Sequence, residues 1–126
     1  MDIEKQIEYW RRSSQEDFDV ARELVAKGRF RHGLFFVHLA VEKALKAHVA
    51  RVTADVPPKS HNLVRLAELA ELCISDEMSM FLRRLNAYQL EGRYPEAFTR
   101  APVSANSAEE IVSKATEMLE WLTQRL

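Results

Sequence analysis

Three glycines, four prolines and one cysteine leave this chain little material for tight turns or for covalent staples. Apolar residues recur at helical spacing almost everywhere, so strands have little room. A lone cysteine, Cys73, rules out an internal disulfide and argues against a cysteine-based metal site; a reducing cytoplasm fits. No stretch approaches the roughly 18 consecutive apolar residues that a membrane span needs. The opening MDIEKQIEYW lacks the apolar core of a signal peptide, so the expected protein is cytoplasmic, with no membrane contact. Excess charge is missing too: 18 Lys and Arg stand against 19 Asp and Glu, a net charge of −1, which does not mark a bulk nucleic-acid binder. The sequence also lacks a phosphate loop, a dinucleotide fingerprint, a His-Glu metal motif and a nucleophile elbow, so neither a metal nor a cofactor is expected.

What is present is the balance of a folded domain, 47% hydrophobic and 29% charged, and residues 1–126 read as a single unit able to close one core. A first helix is expected over residues 2–27, with Ile3, Ile7, Trp10, Phe18, Ala21 and Val25 on one stripe and Gly28 as its stop. Ser14 falls on that stripe where a large apolar residue would be expected. A second helix over 30–52 ends ahead of Pro57 and Pro58. Ser60 is a plausible N-cap for a short third helix carrying Leu63, Leu66, Leu69 and Leu72. Asp76 and Glu77 suit the first turn of a fourth, with Met78, Phe81, Leu85 and Tyr88 inward and a stop near Gly92. Ser107 and Glu110 have capping-box spacing ahead of Ile111, Ala115, Met118 and Leu122. The expected fold class is all-α, an up-and-down antiparallel bundle of four main helices plus one short helix.

The second helix holds the informative residues. Leu34, Val37, Val41, Leu45, His48 and Val52 form a bundle-facing stripe, yet Phe36, Leu39, Ala40, Ala47 and Ala50 occupy much of the opposite side. Such a helix must be covered on most of its circumference, either at the centre of its own bundle or by a second subunit; a two-fold homodimer is the expected solution. Glu42 and Lys46 have the spacing of a helix-surface ion pair. Lys43 projects into the second apolar face, where a bare ammonium needs a carboxylate or a bound anion. His38 lies four residues before Glu42 and reads either as a satisfied structural histidine or as a ligand. His61 reads as a residue tying the loop to the third helix or as part of a site. KGRFRHG, residues 27–33, offers a turn with phosphate-binding chemistry or an ordinary solvated connection. Arg93 and Tyr94 combine a planar guanidinium for a phosphate with a ring for stacking on a base. Their structural alternative is an Arg93–Glu42 pair with Tyr94 plugging the bundle end.

Three segments in order, HLAVEKALKAHV (38–49), PPKSHNLVRLAEL (57–69) and EGRYPEAF (91–98), resemble the HEPN domain family, and Trp10, Asp17 and Ala21 agree with it. The resemblance spans nearly the whole chain. It implies a cytoplasmic homodimer of antiparallel bundles, a proposed nucleotide-binding role, and pairing with a small nucleotidyltransferase in a toxin-antitoxin system. It also implies, for many members, metal-independent ribonuclease activity from an arginine followed four to six positions later by a histidine at the dimer cleft. This sequence departs from that pattern. Arg93 stands in the comparable region, but residues 94–100 contain no histidine, so no catalytic residue is assigned. Arg31 and His38, with six residues between them, come close to that spacing, but on the wrong helix. The expected ligand-binding set, for a nucleotide or RNA phosphate, is Lys43, Arg93, Tyr94, Glu42 and His61.

Overall fold

The computed structural model describes residues 2–93 and 103–126, with side chains for all of these except 90–93. Five helices follow in order: α1 (Ile3–Ala26), α2 (Phe30–Thr53), α3 (Leu63–Leu69), α4 (Asp76–Arg93) and α5 (Ala105–Gln124). No strand occurs among the described residues, and the fold is the all-α bundle of four long helices and one short one.

Local chemistry accounts for the element ends. The Asp2 carboxylate accepts the Lys5 amide and caps α1 at its start. At its end Gly28 takes φ 79°, a left-handed turn that lets the Arg29 amide reach back to the Leu24 carbonyl at 2.8 Å. Two expected caps are displaced. Asn62, not Ser60, caps α3, accepting from the Val64 and Arg65 amides, while the Ser60 hydroxyl accepts from the Asn62 amide. Asparagine directly ahead of the first helical residue wins because its longer side chain reaches both orphan amides. Ser104, not Ser107, caps α5, which starts nearly one turn earlier than the Ser107–Glu110 spacing suggests. Ser107 and Glu110 instead receive the Arg84 guanidinium, at 3.2 and 3.4 Å.

The contacts set the directions. Lys43 meets Ser13 and Asp17, and Arg51 reaches Glu4, so α1 runs antiparallel to α2. Arg84 against Ser107 and Glu110 ties the middle of α4 to the start of α5. At the far end of α5, the His48 Nε2–H donates to the Leu122 carbonyl at 2.8 Å. Leu34, Val37, Val41 and Leu45 of α2 join Phe18, Leu63, Leu66, Leu82, Leu85, Ile111 and Leu122 in the main core.

The other side of α2 is covered from within the same chain. Ala47 and Ala50 are fully buried beside Ile7, with Ile3, Trp10 and Leu126 packed around them. The alanines of this face, Ala40, Ala47 and Ala50, are buried by their own chain, while Phe36 and Leu39 of the same face are only partly buried. Val52 departs from the expected stripe and is exposed. Ser14 is explained by the same close approach: its hydroxyl donates to the Ala40 carbonyl at 2.6 Å in the buried seam between α1 and α2.

At the top of that seam a Cβ on Gly33 would lie 2.6 Å from Val25 Cγ2 and 3.2 Å from the Ala21 carbonyl oxygen. Alanine there gains about 1 kcal/mol of helix propensity, while forcing the helices apart costs about 1–3 kcal/mol. Gly33→Ala is therefore expected to lower stability by about 1 kcal/mol, read as a lower urea midpoint at unchanged m-value. An unchanged or raised midpoint means that Val25 yields freely.

Candidate functional site: a polar chain across the central helix

Four polar residues of α2, namely His38, Glu42, Lys46 and His48, are buried. Glu42 and Lys46, expected as a surface pair, are 3% and 6% exposed, because Trp10 of α1 and the loop ahead of α3 close over them. The Lys46 ammonium lies 3.0 Å from Glu42 Oε2 and 5.5 Å from the Trp10 ring centre, a cation over an aromatic face. The second carboxylate oxygen, Oε1, accepts a hydrogen bond from His61 Nδ1 at 2.9 Å. Each oxygen of a buried carboxylate thus has its own cationic or N–H partner, the condition under which such a charge is tolerated.

His61 is held twice. Its side chain rests on Glu42, and its backbone carbonyl accepts from His38 Nε2 at 3.0 Å. Since a carbonyl accepts, the His38 proton sits on Nε2. Its Nδ1, 3.8 Å from Glu42 Oε1, has no hydrogen-bond partner among the described residues. Burial pushes the His38 pKa down to about 4, against the opposing pull of the Glu42 carboxylate, of the bond to the His61 carbonyl and of the nearby Asn86 side chain. Burial lowers the His48 pKa as well, its bond to the Leu122 carbonyl opposing. Asn86 of α4 completes the chain: its amide donates to Asn62, and its oxygen accepts from the Leu63 amide.

The outcome for the expected site residues is mixed. Glu42 and His61, 19 positions apart, are brought into direct contact. His61 keeps a side chain 43% exposed, with Nε2 unpartnered among the described residues, so a buried carboxylate orients a ring that solvent and solutes can reach. Lys43 does not present the bare ammonium expected of it: Asp17 Oδ2 lies 2.7 Å away and the Ser13 hydroxyl accepts at 2.8 Å. Arg93 ends α4, but its side chain and all of Tyr94 lie outside the described residues. His38 is fully enclosed, so the Arg31–His38 spacing cannot bring an imidazole to an RNA phosphate. In the turn at 27–33, Arg29 and His32 are exposed. Trp10, Asn62 and Asn86 belong to this chain of contacts and were not read as site residues. The contacts that bring them into it, Trp10 with Lys46 and Asn86 with Asn62 and Leu63, span 23 or more positions, and Asn carries no signal for such a contact in a single sequence.

Among the described residues, no group of three or more His, Cys, Asp or Glu could hold a metal ion. No described helix is long and apolar enough to cross a membrane.

A central buried helix, a carboxylate and histidine on its margin and a loop bound back against it define a class of small helical-bundle domain. The HEPN domain model matches residues 7–126, and the chain belongs to the HEPN domain family. Two solved structures share the fold. TT1696 from Thermus thermophilus is 21% identical, with a TM-score of 0.80 over 96% of this chain and 98% of its own. An archaeal HEPN homologue is 18% identical, with a TM-score of 0.73 over 94% and 96%. No curated protein matches in sequence.

Proposed function

We propose that this HEPN-domain chain is a homodimeric binding module for the phosphate of a nucleotide or RNA, acting with a nucleotidyltransferase partner in a system of toxin-antitoxin type. The observation that carries the ligand part is His61: a ring 43% exposed, fixed by a carboxylate that is itself buried and paired. An imidazole whose Nδ1–H is committed to a carboxylate presents its opposite edge in a defined direction, and as an imidazolium it would offer a phosphate oxygen its Nε2–H as a positioned donor. Glu42 is a positioning residue in this reading. Arg93 and Tyr94 supply a bidentate phosphate fork and a stacking ring on chemical grounds. Lys43 serves through its pair with Asp17, bracing α1 against α2.

Isothermal titration of the purified chain with ATP, AMP and a short oligoribonucleotide tests the ligand part. Wild type is expected to bind at least one of these, and His61→Ala and Arg93→Ala each to weaken that binding about tenfold, the scale of one charge-assisted hydrogen bond. Absence of binding by wild type to all three, or binding by both variants at wild-type strength, overturns it. The partner part is tested by affinity purification from the native host: a co-purifying nucleotidyltransferase is expected, and its absence sinks that part.

A second reading has its own support. A carboxylate-held imidazole is also the arrangement that orients a general acid or base, so a metal-independent ribonuclease with His61 in place of the family's usual histidine is the alternative. RNA degradation by wild type that His61→Ala abolishes would favour it over simple binding. His38 has no part in either reading, being sealed from solutes.

A further inference from the structure

Where α1 passes the loop that follows α2, a cleft of about 300 Å³ is lined by Lys5, Gln6, Tyr9 and Trp10 of α1 and by Val56 of the loop. Apolar side chains stand in water on both of its walls: Tyr9 is 61% exposed and Val56 is 56% exposed. The Tyr9 and Trp10 ring centres lie 5.1 Å apart with their planes at 74°, so the two rings form a corner rather than a stack. A flat aromatic ligand fits such a corner by lying on one ring with its edge toward the other. The volume is at the lower end of the range for small-molecule sites, which suits a single ring system.

Charge narrows the class further. Aromatic rings also attract cations, but here the Lys46 ammonium already stands 5.5 Å from the Trp10 ring centre. Lys5 lines the cleft with no carboxylate partner among the described residues, and no carboxylate lines it. A second cation would be repelled, while a neutral ring carrying hydrogen-bond acceptors would not. The cleft is also continuous with the Glu42–His61 pair. Trp10 lies by Lys46, which holds one oxygen of Glu42 while His61 holds the other. Val56 and His61 stand five positions apart in one loop, which limits the distance between their Cα atoms to about 17 Å. We propose that this cleft is the base subsite of the ligand whose phosphate His61 meets, and that the base is a purine. It stacks in the Tyr9–Trp10 corner, and its sugar and phosphate follow the loop toward His61. A purine offers the larger stacking face and, in N7, an acceptor for the Lys5 ammonium. The subsite rests on the nucleotide reading of His61 and gives that ligand a base and a direction.

Trp10 itself can report the binding. The chain has two tryptophans, so Trp121→Phe leaves Trp10 as the single indole emitter. In that background adenosine is expected to quench the emission saturably, uridine to require a higher concentration, and ribose 5-phosphate to leave it unchanged. Tyr9→Ala removes one wall at an exposed position, so a circular dichroism spectrum and urea midpoint like wild type should accompany an about tenfold weaker binding of adenosine and AMP, the scale of one lost base–ring stack. Lys5→Ala touches neither ring and is expected to weaken both ligands several-fold. Tighter binding of a short oligoadenylate than of AMP makes the base one of an RNA strand, and the reverse makes it that of a free nucleotide. Trp10 emission indifferent to adenosine, or AMP bound at wild-type strength by both Tyr9→Ala and Lys5→Ala, overturns the subsite. AMP binding that His61→Ala still weakens would then leave the phosphate reading standing alone. Equal quenching by uridine overturns the purine assignment. Adenosine quenching on which AMP does not improve upholds the cleft and overturns the phosphate reading.

Discussion

Replacing Glu42 by alanine is expected to destabilise the protein by about 3–5 kcal/mol, the range for removing one partner of a buried charge pair. Lys46, 6% exposed, would keep its ammonium beside the Trp10 ring with the carboxylate gone, and His61 would lose the acceptor on its Nδ1. The size of the loss is set by the charge left behind rather than by the attraction removed. A second expectation follows from this. Glu42→Leu combined with Lys46→Met removes both charges at similar volume, and most of the stability should return, while His61 stays unanchored. Urea denaturation of Glu42→Leu, of Lys46→Met and of the double variant completes a mutant cycle. A loss below about 1 kcal/mol for Glu42→Ala would mean that water reaches Lys46 freely and that the enclosure of this pair carries little energy. Because the double variant separates stability from His61 orientation, its nucleotide affinity also shows whether Glu42 matters to the proposed site as an orienting group.

The helices were legible because their signals are local. Gly28 as a stop, Asp76 and Glu77 in the first turn of α4, and the stripes of α1 and α5 follow from spacing alone. The displaced caps show the limit of that reasoning: Ser60 and Asn62, or Ser104 and Ser107, are both good caps, and the winner depends on where the chain enters the bundle. The burial of Glu42 was not legible. Spacing to Lys46 is the same for an exposed pair and a buried one, and what distinguishes them here is Trp10 from one side and His61 from the other. Lys43 illustrates the converse. Its need for a counter-charge was readable from the apolar face around it, but not that Asp17, 26 positions earlier, supplies it. Likewise the covering of α2 by α1 depends on Ser14, Gly33 and the alanines allowing two helices of one chain to approach closely, a pattern that would equally suit two chains.

Acid should weaken the fold well before its carboxylates titrate in bulk, through His38. Its pKa is about 4 in the folded state, where burial disfavours the charged ring, against the ordinary histidine value of 6.5 in the unfolded chain. Between these values the unfolded chain binds the extra proton, so stability rises with pH there. The contribution is fully present above about pH 6.5 and is lost as pH falls toward 4, in total about 3 kcal/mol. His48, also lowered by burial, adds a loss of the same sign. The groups around His38 give this titration a local consequence. Protonation would place a second hydrogen on Nδ1, facing Glu42 Oε1 at 3.8 Å, where it would compete with His61 for the same oxygen. Acid is therefore expected to loosen His61 from Glu42 as it destabilises the bundle. His38→Gln keeps an N–H donor for the His61 carbonyl and removes the titrating ring, so urea midpoints between pH 4 and 6.5 should fall less steeply than in wild type. The part owed to His48 should remain. If His38→Gln shows the wild-type slope, or if NMR titration finds His38 protonating near 6.5, the ring is not enclosed as the packing of α2 against the loop ahead of α3 requires, and its bond to the His61 carbonyl cannot be what holds that loop in place.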